Sequence, residues 1–246
     1  MNSGRPLIID ILGRSDFEWV TLETEHSALD YQECVNCLYA AQATNIVPFI
    51  RVAWNDPMLI KRALDIGAMG VVVPNIDTAA DAARAVSASR YAPLGARGIG
   101  SSRGQLAYGE DYYDCANELV CVVLMIESAD AVKNIDAIMQ TPGVDICFIG
   151  PNDLAASLGV PLGLDNKHPD HVAACQKVIE AGKKWGVPVG IHCAGAQEAV
   201  RRIEEGYKWI SIASDVRLLK LALNDVFDCI KKNGAAENAP KHSNTL

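Results

Sequence analysis

The sequence has 246 residues, half of them hydrophobic, and a formal net charge of −8 at pH 7. This length can bury a sizeable core in one large domain or two small ones. The acidic balance argues against a nucleic-acid partner. Because no run of about 18 apolar residues occurs and the apolar patch near the N-terminus is too short for a secretion signal, we expect a soluble, cytoplasmic protein without membrane contacts.

Short apolar runs that end in polar residues predict seven β-strands along the chain. They lie at 19–23, 47–52, 70–74, 119–127, 144–150, 187–193 and 209–214. The runs are continuously apolar rather than alternating, which favours parallel strands covered on both faces.

Helix-forming segments alternate with these strands. In DPMLIKRALDIGA, Asp56 is a predicted N-cap and Pro57 takes the first helical position. Helical composition also predicts helices in the segments that begin at Asp77, Ser128, His168, Ala196 and Asp215.

The alternation of strands and helices, with no break in composition, predicts an α/β fold. We expect a single (β/α)₈ TIM barrel over residues 1–232, with residues 233–246 as a polar, mobile tail. The seven predicted strands are one fewer than the eight of such a barrel. The segment RPLIIDILGRSD does not supply the eighth, because it fits the helix that should follow a first strand. That first strand is therefore missing, or PLII fills its place imperfectly. The alternative, an open doubly wound sheet, would show a glycine-rich phosphate loop after an early strand, and none is present.

Eight cysteines are scattered along the chain, several of them in apolar runs. This distribution predicts free, buried thiols. Cys34 and Cys37 form a C-x-x-C pair, but it lacks the second ligand pair or the helix N-terminus that a zinc or redox site would need.

The strands of a parallel barrel end at one rim, and the side chains there carry the chemistry of the fold. The predicted strand ends supply a small set of charged and polar residues. These are Glu23, Glu25, His26, Arg51, Trp54, Glu127, Asp153, His192, Ser214 and Asp215.

Glu127 and Asp153 follow neighbouring strands, and two carboxylates so placed predict a site for one hard divalent cation. Such a site leaves positions open for water and substrate, which suits Mg²⁺ or Mn²⁺. Considered one at a time, Asp153 fits a helix N-cap and Glu127 fits a surface ion pair. The metal site therefore depends on the two side chains being neighbours.

His26, together with Glu23 or Glu25, predicts a carboxylate–histidine pair that orients the imidazole as a general base. Arg51 is placed to stabilise an oxyanion. The alternatives are a structural histidine and an ion pair at the rim. A metal, an arginine and a base at one barrel mouth suit enolate chemistry, which means proton movement or carbon–carbon cleavage beside a carbonyl.

Lysine is absent from the seven predicted strands and from their C-terminal ends. A Schiff-base aldolase needs a lysine in the barrel mouth, and Lys208 lies at the wrong end of its strand. This absence favours metal-assisted chemistry over imine chemistry.

The sequence resembles the class II, metal-dependent pyruvate aldolases. That group includes 4-hydroxy-2-oxo-heptanedioate, 2-keto-3-deoxy-rhamnonate and 5-keto-4-deoxy-glucarate aldolases, with macrophomate synthase as a relative. The resemblance is carried by FEWVTLETEHSALD, residues 50–100, MIES and VDICFIGPNDLAASLG, and it extends to GKKWGVPVGIHC and SIASDVRLL.

The resemblance implies that Glu127 and Asp153 are the metal ligands. It further implies that Arg51 contacts the keto oxygen and stabilises the enolate, and that His26 is the catalytic base, oriented by Glu23. The family usually has aspartate at the position of Glu23. It often has glutamine two residues before the metal-binding glutamate, where this chain has Met125.

The resemblance also assigns a substrate pocket. The pyruvate carboxylate would bind backbone amides of Asn152 and Asp153, in the turn that starts with Gly150 and Pro151, and Trp54 would line the pocket. Family members form (β/α)₈ barrels that often exchange the last helix between subunits. A homo-oligomer, a trimer or a hexamer, is therefore expected.

The expected reaction is retro-aldol cleavage of a 4-hydroxy-2-oxo acid to pyruvate and an aldehyde, through a pyruvate enolate held by the metal and Arg51. The first alternative is an oxaloacetate decarboxylase or a macrophomate-synthase-like lyase that uses the same enolate. The second is a catalytically impaired member with a binding or assembly role.

Overall fold

A computed structural model describes residues 1–232 of the chain. Seven parallel strands form one sheet in the order β1 to β7, and all seven predicted strands are confirmed. They are β1 (Trp19–Glu23), β2 (Val47–Arg51), β3 (Gly70–Val73), β4 (Cys121–Ile126), β5 (Ile146–Ile149), β6 (Val189–Cys193) and β7 (Trp209–Ile212). The predicted tail at 233–246 lies outside the described residues.

Helices precede β1, fill the connections between consecutive strands and follow β7. They are α1 (Pro6–Gly13), α2 (Tyr31–Gln42), α3 (Pro57–Asp65), α4 (Ala79–Ser89), α5 (Ser102–Tyr108), α6 (Tyr112–Leu119), α7 (Ala129–Lys133), α8 (Ile135–Met139), α9 (Pro151–Ser157), α10 (Pro169–Trp185), α11 (Ala196–Glu205) and α12 (Asp215–Lys232). The predicted cap of α3 is confirmed, because the Asp56 carboxylate accepts from the amides of Met58 at 2.8 Å and Leu59 at 3.2 Å. None of these helices is long and apolar enough to span a membrane.

The sheet separates two hydrophobic cores. The outer core lies between the sheet and the helices, and the inner core lies inside the curved sheet around Phe49, Phe148 and Trp209. The rings of Trp19 in β1 and Trp209 in β7 stack with centroids 3.7 Å apart. Because these strands are the two edges of the sheet and do not pair with each other, the stack shows that the sheet curls until side chains of its edges meet, as in a barrel that lacks one strand.

The place of the missing first strand is taken by residues 1–3. The Met1 carbonyl accepts from the Glu23 amide at 3.1 Å, and the Asp215 carboxylate, just after β7, accepts from the amides of Asn2 and Ser3 at 2.8 and 3.1 Å. These residues therefore bridge β1 and the start of α12, which follows β7, without forming a regular strand. PLII does not fill this place, because it lies in α1.

The cysteines of the C-x-x-C pair are both buried on α2 and form no disulfide. Burial raises the pKa of Cys34 to about 12 and that of Cys37 to about 11. Thiols of such high pKa are poor nucleophiles and poor metal ligands at neutral pH. The prediction of free, buried thiols is confirmed for this pair.

Candidate active site

A cavity of about 450 Å³ opens at the C-terminal ends of the strands. Its lining includes most of the predicted site residues: Glu23, His26, Arg51, Gly150, Pro151, Asn152 and Asp153. The stacked rings of Trp19 and Trp209 lie among its apolar lining. These residues meet at one rim of the barrel because the C-terminal ends of parallel strands all lie at the same edge of the sheet.

Arg51 is the centre of a buried charge cluster. Its Nη1 lies 3.2 Å from Glu23 Oε2, and its Nη2 contacts Glu25 Oε2 and lies 3.7 Å from Glu127 Oε2. The Arg51 Nε is buried and has no hydrogen-bond acceptor within the described part of the chain. Three carboxylates thus share one guanidinium, and that guanidinium keeps one N–H available for a further oxygen.

Burial, with a smaller contribution from neighbouring carboxylates, raises the pKa of two glutamates in this cluster. Burial is the largest cause that raises the pKa of Glu25 to about 7, against the opposing charge of Arg51, and the Glu127 charge adds to the rise. Burial also raises the pKa of Glu127, and the Asp153 charge contributes in the same direction. The cluster is therefore costly to keep ionised, which an added cation would correct.

Glu127, one of the two predicted metal ligands, lies near enough to Asp153 to feel its charge, but it is not among the residues that line the cavity. Glu127 Oε1 accepts from the Asn75 amide at 2.8 Å, whereas its Oε2 is buried and has no hydrogen-bond partner among residues 1–232. A Cβ at position 150 would lie 3.1 Å from that Oε2, so Gly150 keeps this face of the carboxylate clear. In the described residues, no third His, Cys, Asp or Glu joins them as a ready ligand cluster.

The two carboxylates near His26 have different roles. Glu23 Oε1 accepts from the backbone amides of Glu25 at 2.8 Å and His26 at 3.1 Å, so it fixes the turn that carries the histidine. The imidazole Nε2 lies instead 3.7 Å from Glu25 Oε2. The carboxylate beside the ring is therefore that of Glu25, and Glu23 orients His26 through the backbone.

The turn after β5 begins α9 with Gly150 at the N-cap and Pro151 at the first helical position. No side chain caps this helix, so the amides of Asn152 and Asp153 have no side-chain acceptor. Asp153 lies in the first turn and is not the N-cap, which removes the alternative reading of this residue. Its carboxylate lines the cavity instead.

Trp54 lies in the loop after β2, 59% exposed, and is not among the residues that line the cavity. Residues without a predicted role also line it, among them His192 at the end of β6, Ser211 in β7 and Arg217 in α12. His192 was visible in the sequence as a strand-end histidine. Its pairing with Ser211 depends on the β6–β7 register, which the sequence does not display.

A family comparison agrees with this geometry. The profile of the HpcH/HpaI aldolase/citrate lyase family matches residues 1–222. The chain belongs to this family. Its members include a 5-keto-4-deoxy-D-glucarate aldolase of Klebsiella pneumoniae, 36% identical over 92% of this chain and 89% of that one.

Two further members are similar over nearly the whole chain. A 2-dehydro-3,6-dideoxy-6-sulfogluconate aldolase of Pseudomonas putida is 37% identical over 93% of this chain and 89% of its own length. The crystal structure of an HpcH/HpaI aldolase/citrate lyase family protein from Burkholderia cenocepacia has a TM-score of 0.88 and 36% identity, and covers 94% of this chain and 92% of that one. The chain is thus an HpcH/HpaI-type barrel enzyme and a carbon–carbon lyase.

Proposed function

We propose that this HpcH/HpaI enzyme cleaves a 4-hydroxy-2-oxo acid to pyruvate and an aldehyde in a metal-dependent retro-aldol reaction. The observation that carries the proposal is the Arg51 guanidinium, held among Glu23, Glu25 and Glu127 beside the cavity with its Nε unpaired within residues 1–232. The aldolase names of the two relatives support it.

Glu127 and Asp153 are the residues that would hold the divalent cation, Mg²⁺ or Mn²⁺, because hard cations take carboxylate oxygens and leave other positions to water and substrate. When bound, the cation supplies positive charge that offsets the negative charge developing on the substrate. Its presence also relieves the surplus of carboxylates around Arg51.

The remaining groups of the site each have a separate role in the reaction. The amides of Asn152 and Asp153 bind the substrate carboxylate, and His26 takes the proton of the C4 hydroxyl with Glu25 beside its ring. As the C3–C4 bond breaks, its electron pair moves into a pyruvate enolate, and Arg51 donates to the oxygen that gains the charge. The aldehyde leaves, and protonation of the enolate carbon gives pyruvate.

Release of pyruvate from 4-hydroxy-2-oxo acids tests the proposal. We expect turnover that a chelator abolishes and Mn²⁺ or Mg²⁺ restores. Arg51→Gln should lower kcat by about 10²–10³-fold, the typical loss of a charge-stabilising donor. The matched control is Arg84→Gln, which removes a half-exposed pair with Asp81 on α4 and should keep activity.

Two results would count against this function. Turnover that persists in the presence of the chelator would exclude a metal-dependent reaction. A higher kcat/KM on oxaloacetate than on any hydroxy-oxo acid would identify the enzyme as a decarboxylase that uses the same enolate.

We also propose that the enzyme is a homo-oligomer whose subunits exchange α12. No residue of α12 is buried, and its exposed apolar residues are Val216, Leu219, Leu221, Leu223, Val226, Phe227 and Ile230. A groove between α1, β1 and β7 offers a complementary apolar surface that includes Phe17 and Ile212. A second copy supplies both surfaces at once, which allows a closed, symmetric assembly.

A further inference from the structure

One wall of the cavity takes no part in the proposed retro-aldol steps. It is formed by His192 of β6, Ser211 of β7 and Arg217 of α12. Among the described lining residues, the carboxylates are Glu23 and Asp153, which come from β1 and α9 and not from this wall. This wall therefore contributes no carboxylate of its own, although the charges of Arg51 and Glu23 also act on His192.

His192 and Ser211 form a pair that keeps one hydrogen-bond donor available. The His192 Nδ1 lies 2.8 Å from Ser211 Oγ. Burial, and after it the nearby Arg217 charge, lowers the pKa of His192 to about 4, so the ring is neutral at physiological pH. A neutral imidazole has one N–H and serine has one O–H. One of these two groups donates in the contact between them, so the other remains available to donate to a ligand.

Arg217 adds a positive charge to the same wall. No carboxylate of residues 1–232 lies within 4.0 Å of its guanidinium. Asp215, two residues earlier, is hydrogen bonded to the amides of Asn2 and Ser3. An arginine that lines a cavity without an acidic partner is suited to a carboxylate ligand, which it can bind through two parallel N–H groups.

We propose that His192, Ser211 and Arg217 form a second anion subsite that binds a terminal carboxylate on the aldehyde part of the substrate. The inference rests on the proposed function, because the first carboxylate is taken to lie at Asn152 and Asp153. The cavity of about 450 Å³ is in the range that encloses ligands much larger than pyruvate. The preferred substrate class is thus a 4-hydroxy-2-oxo diacid.

Binding of two non-cleavable analogues tests the subsite without requiring catalysis. 2-Oxoheptanedioate and 2-oxoheptanoate have the same length and lack the 4-hydroxyl group, and only the first ends in a second carboxylate. Isothermal titration in the presence of Mg²⁺ should give a Kd for the diacid at least about 10-fold lower, as expected for one charge-assisted contact. Arg217→Gln should remove most of this preference, and Lys220→Gln, an exposed change one turn further along α12, should retain it.

His192→Leu should also reduce the preference for the diacid, with its unfolding transition measured to show that the variant is folded. Equal affinity of the wild-type enzyme for the two analogues, or an unchanged preference in Arg217→Gln, would overturn the subsite. Pyruvate release from 4-hydroxy-2-oxoheptanedioate is measured in parallel. A binding preference that depends on Arg217 without any pyruvate release would refute the retro-aldol function and leave the subsite standing.

Discussion

At the scale of single residues, the site is an arrangement of carboxylates around one arginine. Glu23 fixes the turn before His26 through two backbone amides, Glu25 lies beside the imidazole, and Glu127 faces the turn that starts at Gly150. All three also contact Arg51. A cluster of this kind is held at the expense of stability, since buried carboxylates resist ionisation.

The raised pKa of Glu25 predicts a stability that depends on pH. The folded protein holds this proton up to about pH 7, whereas an unfolded chain releases it near pH 4.3. Between these values the folded state binds more protons, so the contribution of Glu25 to the free energy of unfolding falls as pH rises, by up to about 1.4 kcal/mol per pH unit. Glu25→Gln should therefore gain stability relative to wild type from pH 5 to pH 8.

Denaturant unfolding of the metal-free protein at both pH values measures this effect. Glu204→Gln, a change of the same chemistry on the exposed face of α11, is the control and should show no such trend. A difference between wild type and Glu25→Gln that stays constant or shrinks from pH 5 to pH 8 would contradict the account.

Sequence reasoning placed Arg51 and Asp153 at one rim, because parallel strands end together. It left open which glutamate faces the His26 ring, since a carboxylate three residues away can reach either the ring or the backbone. It gave no role to His192, because the sequence does not show which side chain would bond to a histidine at the end of a strand. Pairings across strands depend on register and not on spacing along the chain.

At the scale of secondary-structure elements, the apolar runs predicted every strand, and the weaker helices escaped prediction. α5 and α6 lie in a segment rich in glycine, serine and tyrosine, and they are held by tertiary contacts: Tyr108 donates to the Gly67 carbonyl at 2.6 Å. The single helix predicted after Ser128 is divided into α7 and α8 at Asn134, whose side chain donates to the Asp77 carbonyl at 2.8 Å. Long-range contacts of this kind override local propensity.

The stacking of Trp19 on Trp209 is the contact that joins the two edges of the sheet. Trp209 is 8% exposed and also packs edge-on against Phe49 and Phe148. Trp209→Ala should lower the free energy of unfolding by about 3–5 kcal/mol, as expected for a large buried aromatic. Trp185→Ala, on the surface of α10 and 38% exposed, should cost about 1 kcal/mol. Equal losses for the two variants in denaturant unfolding would show that the inner core does not join the edges.

At the scale of the whole molecule, α12 has no buried residue within the described chain, although Asp215 at its start accepts from the amides of Asn2 and Ser3. An amphipathic helix whose apolar residues are exposed favours association with a second copy. This agrees with the sequence-based expectation of an oligomer that exchanges its last helix.

The proposed exchange of α12 predicts that one charge on its apolar face will dissociate the oligomer. Leu223→Asp should shift the sedimentation coefficient to that of a 26.4 kDa monomer. Asn224→Asp adds the same charge at the next position and should leave the assembly intact. Wild-type protein that already sediments as a monomer at micromolar concentration would refute the exchange.

Titration of Mn²⁺ into the metal-free enzyme, followed by electron paramagnetic resonance, tests the central claim that Glu127 and Asp153 share one cation beside Arg51. We expect one Mn²⁺ per chain. Affinity should fall by at least about 10–100-fold in Glu127→Gln and in Asp153→Asn, and should be unchanged in Asp130→Asn, whose carboxylate is exposed on α7. Wild-type affinity in both site variants, or no stoichiometric binding by the wild-type protein, would contradict the claim.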